Sequence, residues 1–156
     1  MRYRCALVVA AAVSCGCGAD PATEIVVVLD TDADVPGEID GLVVRVLDDQ
    51  AGLVTERPLR LGDAPDQVAL PADFGVVPRE GHDPDERITI AVEAQKSSAR
   101  LFTTEVVTWF SGGRMRRLDL LLARRCLTDP CGDEPCGPQS CGPLEIDPST
   151  LPEFRP

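Results

Sequence analysis

From Glu24 onward the chain sets short apolar runs between turn-forming residues and shows no sustained helical period, which predicts strands. Glu24 to Leu29 is a nearly continuous apolar run, suited to a strand buried on both faces. Leu42 to Leu47 follows, and the turn Asp48-Asp49-Gln50-Ala51-Gly52 leads into a run from Leu53 to Leu61. Gln67 to Leu70 and Phe74 to Val77 are short pieces broken by Pro71 and Pro78, as expected of a sheet edge. In Arg87 to Gln95, Ile88, Ile90, Val92 and Ala94 take alternate positions, the pattern of a strand with one wet face. Leu101 to Phe110 and Met115 to Ala123 flank Ser111-Gly112-Gly113-Arg114, which reads as a Gly-rich hairpin turn, and Leu118, Leu120 and Leu122 share a face. About seven strands at this spacing predict an all-β domain. The expected architecture is an antiparallel β-sandwich, immunoglobulin-like or transthyretin-like, with a small barrel as the alternative.

The N-terminus has a different pattern. Arg2 and Arg4 precede an uncharged stretch, Cys5 to Val13, that is too short to span a bilayer and is followed by small residues. This is the pattern of a secretory signal peptide, and it ends in two cysteines that each resemble a lipobox, Cys15 and Cys17. Cys15 lies closer to the apolar stretch and is preceded by Val13 and Ser14. Use of Cys17 would instead leave an even number of other thiols in the mature chain. Gly follows both, so nothing marks inner-membrane retention and the outer membrane is the expected address. The predicted organisation is a signal peptide and lipobox over 1–18, a linker over 19–23, a β-sandwich over 24–125 and a cysteine- and proline-rich tail over 126–156.

The tail carries Cys126, Cys131, Cys136 and Cys141 at five-residue intervals among Pro130, Pro135, Pro138 and Pro143. In an exported chain four such cysteines read as two disulfides, with three possible pairings. Interleaving, Cys126 with Cys136 and Cys131 with Cys141, constrains a short segment most. A four-thiolate zinc site is the rival, but its paired short spacing is absent. Because the tail has few apolar residues, the disulfides are expected to hold it against the end of the last strand. Reduction is then expected to loosen the tail and leave the sandwich folded.

The formal charge of −11 becomes −13 once Arg2 and Arg4 leave with the signal peptide, which disfavours nucleic acid and anionic lipid as partners. The local basic group Arg114, Arg116, Arg117, Arg124 and Arg125 reads as a solvated strand face. His82 is the sole histidine, and neither Ser97, Ser98 nor Ser111 lies in a Gly-x-Ser-x-Gly context, so no catalytic pair is apparent. Asp30, Asp32 and Asp34 alternate near the end of the first strand and are weak Ca²⁺ candidates. The EF-hand pattern fails there, with Val35 at its glycine position and Gly41 at its bidentate-glutamate position. Trp109 has the opposite parity to Phe102, Val106 and Phe110, which would place it outside the core, available to stack on a sugar or peptide.

The segments TEIVVVLDTD, FGVVP, RITIAVEA, FSGGR and LLLARRC, with the spaced cysteines, resemble a group of uncharacterised lipoproteins common in myxobacteria. The resemblance covers most of the chain and implies a β-sandwich lipoprotein; it implies no activity. The reading is therefore a non-enzymatic, lipid-anchored structural or interaction protein of the cell envelope, without cofactor. Its partners would be the membrane, through the covalent lipid, and envelope proteins or glycans. The alternative is a module that binds a glycan or Ca²⁺ through its loops.

Overall fold

The computed structural model describes residues 22–79, 81, 83 and 85–155, and it is a two-layer β-sandwich. β1 (Glu24–Thr31), β4 (Ala72–Val76) and β7 (Met115–Leu122) form the smaller sheet, in the order β4-β1-β7. β2 (Gly41–Leu47), β3 (Leu53–Arg60), β5 (Arg87–Lys96), β6 (Ala99–Trp109) and the two-residue β8 (Leu144–Glu145) form the larger, in the order β3-β2-β5-β6-β8. A single helical turn, α1 (Arg125–Thr128), follows β7.

The apolar run that begins the domain forms the central strand of the smaller sheet. Ile25, Val27 and Leu29 point inward and are fully buried, and outward-facing Val26 is almost so. Opposite them, Val44, Val46, Ile90, Val92 and Val106 line the larger sheet, and Leu118, Leu120 and Leu122 complete the core from β7. Continuous β-branched and leucine side chains on facing sheets bury the apolar area that drives this packing.

Most neighbouring strands are antiparallel, but β1 lies parallel to β7, in register from Glu24 with Met115 to Thr31 with Leu122. The Ser111–Arg114 turn therefore joins two sheets rather than two paired strands. Arg114 N–H closes it on the Ser111 carbonyl at 3.0 Å, and Gly113 N–H donates to Thr23 Oγ1 at 2.8 Å. The true tight hairpin lies between β5 and β6, where Ser97 and Ser98 both adopt positive φ. Asp40 accepts the Ser97 N–H on both carboxylate oxygens, at 2.9 and 3.0 Å, and so holds that unusual backbone in place. Residues 67–70 form no strand and contribute only a single bridge, Val68 with Leu61.

All the strand ends fall at two ends of the sandwich. The near end holds the start of β1, the 48–52 turn, the link after β4 and the 111–114 turn; Val46, Val54, Val76, Ile88 and Phe110 meet there around a small cavity. At the far end are the 32–40 connection, the Ser97-Ser98 hairpin and α1.

Candidate functional site

The tail is the most elaborate feature of the chain. Its disulfides are Cys126–Cys136 and Cys131–Cys141, interleaved. Cys126 and Cys136 are fully buried and belong to the same apolar cluster as the sandwich core, whereas Cys131 is half-buried and Cys141 exposed. This changes the expected consequence of reduction: one bond staples the tail into the core itself, so breaking both must also weaken the sandwich.

From the far end the tail then runs back along both open edges on one side. Cys136 N–H donates to the Thr103 carbonyl at 2.6 Å, and Thr104 Oγ1 donates to the Cys136 carbonyl at 2.8 Å. β8 pairs with Val106 and Val107 on the edge of the larger sheet. After a 3₁₀ turn at Pro148–Thr150, the chain pairs with the β7 edge of the smaller sheet, Arg117 N–H to the Pro152 carbonyl and Phe154 N–H to the Met115 carbonyl, both at 2.9 Å. Two strand edges that would otherwise invite pairing with another chain are thereby covered.

Four of the five clustered arginines, Arg116, Arg117, Arg124 and Arg125, have individual intramolecular partners. Arg116 donates to the Leu151 carbonyl and Arg125 to the Gly137 carbonyl, so both hold the tail. Arg117 pairs with Asp119 at 2.7 Å. Arg124 reaches Glu38 at 2.7 Å, linking the end of β7 to the acidic loop.

In that loop Asp30, Asp32 and Asp34 do not converge. Asp30 caps the Thr31 N–H, Asp32 accepts the backbone N–H of Arg124, and Asp34 N–H donates to Glu38. Among the described residues no three His, Cys, Asp or Glu side chains form a group that could hold a metal ion. The hydrogen bond from Asp34 N–H, and then Arg124, hold the Glu38 carboxyl below its ordinary value of 4.5. Such a carboxyl binds protons more readily in the unfolded chain, so its contribution is full above the unfolded pKa and is lost as pH falls through the folded value. Wild type and Glu38→Gln should therefore differ in thermal midpoint at neutral pH, and the gap should narrow on acidification below 4.5. A gap that stays constant through this range would refute the role assigned to Glu38.

Trp109 does face outward at the end of β6, half-buried, but Arg87 lies over its ring at 5.7 Å from the centroid. Arg87 also pairs with Glu145 of β8 at 2.7 Å. One face of the indole is thus occupied by a cation–π contact that ties β5 to the tail. Of the serines, Ser97 and Ser98 make the hairpin and Ser111 the inter-sheet turn. His82, Cys15 and Cys17 lie outside the described residues.

Two hollows remain. Between the uncovered β3 and β4 edges is a slot of about 210 Å³ lined by Leu29, Val44, Leu59, Val68, Phe74 and Arg57. A wider, shallow hollow of about 760 Å³ at the far end includes Asp40, Arg60 and Lys96. Its charges are internally compensated, Lys96 lying 3.6 Å from Asp40 and Arg60 2.9 Å from Asp66. Ser97 and Ser98 also line the wider hollow, but it is the Ser97 backbone N–H, not its hydroxyl, that Asp40 accepts. Across the outer face of the larger sheet, Arg45 bridges Glu56 at 2.6 Å and Glu93 at 3.1 Å.

Comparison with known proteins finds no matching family model, no matching curated protein and no matching solved structure. The two disulfides point to an oxidising, extracytoplasmic compartment. No helix among the described residues is long and apolar enough to cross a membrane.

Proposed function

We propose that this chain is a non-enzymatic structural or interaction module of the cell envelope, lipid-anchored through Cys15 or Cys17 at the outer membrane. The observation that carries the reading is the tail: it is stapled into the core by Cys126–Cys136 and laid along the edges of β6 and β7. A rigid, cross-linked body joined by a short linker to a lipid is suited to holding position and presenting surfaces. Envelope proteins or glycans are the partners this reading expects, and no cofactor is needed.

The anchor is tested by fractionation of cells expressing the full chain. Wild type should partition with membranes and into detergent, and replacing Cys15 and Cys17 together should release the protein. Continued membrane retention of that double variant would reject the anchor.

A further inference from the structure

We infer that the near end of the sandwich rests against the bilayer that anchors the chain, with Leu53 and Val77 at its headgroup boundary; this deepens the lipid-anchor reading and depends on it. The first ground is reach. Seven residues separate Cys15 from Thr23, which leads into β1, and a fully extended chain over that interval spans at most about 26–29 Å. From Cys17 the limit is about 20 Å. β1, which Thr23 leads into, has eight residues and is about 26 Å long, and the 32–40 connection follows it at the far end. An inverted domain would hold Thr23 at about the full stretch of the Cys15 tether and beyond the reach of the Cys17 tether. The near end, where Thr23 accepts the Gly113 N–H, is therefore the one the tether leaves closest to the membrane.

The second ground is the surface that this places lowest. Leu53, at the start of β3, is 55% exposed, and Val77, just after β4, is 62% exposed; they are the most exposed large apolar residues in the described chain. Both lie at the near end, beside the start of β1. Apolar side chains next to a lipid tether have an apolar surface within reach, and burying them there is favourable. On the same loops Asp48, Asp49, Asp83 and Asp85 outnumber Arg79 and Arg114 and oppose approach to anionic headgroups, so the bilayer that suits this end is a neutral one. The C-terminal segment also returns here, with Phe154 beside Met115, and the far end with the 32–40 connection and the Ser97-Ser98 hairpin is turned outward.

Trp109 is the only tryptophan in the sequence, so a Trp109→Phe background allows a single reporter to be placed at will. The lipidated full-length chain would be reconstituted into phosphatidylcholine vesicles carrying a headgroup spin label, with tryptophan introduced as Leu53→Trp, Val77→Trp or Leu101→Trp. Leu101 is an exposed residue near the far end of β6. Emission from the first two should fall by about half or more, because side chains at the headgroup boundary lie within about 5–10 Å of the label. Emission from Leu101→Trp should be unchanged. Protein that floats with the vesicles but shows quenching only at Leu101→Trp, or at none of the three, overturns the orientation alone. Protein that does not float with the vesicles overturns the anchor, and the orientation with it.

Discussion

Replacing Cys126 and Cys136 together with alanine is expected to destabilise the domain by about 4–5 kcal/mol, against about 2–3 kcal/mol for Cys131 with Cys141. Both bonds span a sequence separation of 10, so the gain from restricting the unfolded chain is about equal for the two. The difference comes from location. Cys126 and Cys136 are fully buried against the sandwich core, and their sulfurs leave a void when removed. The Cys131–Cys141 pair lies towards solvent, where truncation leaves little space unfilled. Urea unfolding followed by Trp109 emission compares the two double variants directly. Equal losses would show that the buried bond is only a chain constraint. Mild reductant should also open Cys131–Cys141 first, since its sulfurs are the more accessible.

Ile90→Ala should lower stability by about 2–5 kcal/mol, a large share of the roughly 5–15 kcal/mol that holds a typical domain folded. Ile90 is fully buried in β5, paired with Val46 of β2 on one side and Val106 of β6 on the other, and faces the smaller sheet. Its side chain contacts both layers, so the cavity left behind cannot be filled by movement of one strand. Leu121→Ala, on the outer face of β7, is the matched control and should change stability by less than about 0.5 kcal/mol. Calorimetry decides the case. A loss below about 1 kcal/mol at Ile90 would mean that the sheets pack more loosely than their burial indicates.

The strands that were legible in the sequence are those whose alternation is produced by burial on one face. Ile88, Ile90, Val92 and Ala94 all point inward as their spacing indicates, and so do Leu118, Leu120 and Leu122. The unbroken run in β1 marked a strand covered on both sides. The even spacing of the cysteines left three pairings open, and the interleaved one, preferred because it constrains a short segment most, is the one formed. What sequence could not show is what depends on distant segments. The Gly112-Gly113 turn has the composition of a hairpin, yet it crosses between sheets because β7 pairs with β1, more than eighty residues earlier. β8 has only two residues and follows Pro143; its extended form comes from hydrogen bonds to β6 rather than from local preference. Arg116 and Arg125 read as part of a solvated face because their acceptors, the carbonyls of Leu151 and Gly137, have no signature in sequence. For Trp109, parity gave the correct side of the sheet but not the Arg87 that covers it.

The placement of β1 between β4 and β7 has a mechanical consequence. If the chain is held at its N-terminal tether while the far end is pulled outward, tension enters at Glu24 and runs along β1. The ladders to β4 and β7 lie across that direction, so their hydrogen bonds share the load in shear instead of parting one at a time. Extracting β1 would also drag Ile25, Val27 and Leu29 out of the core in a single step. A strand that received force at such a tether would thus be clamped on both sides, and a pull from outside would load both ladders at once.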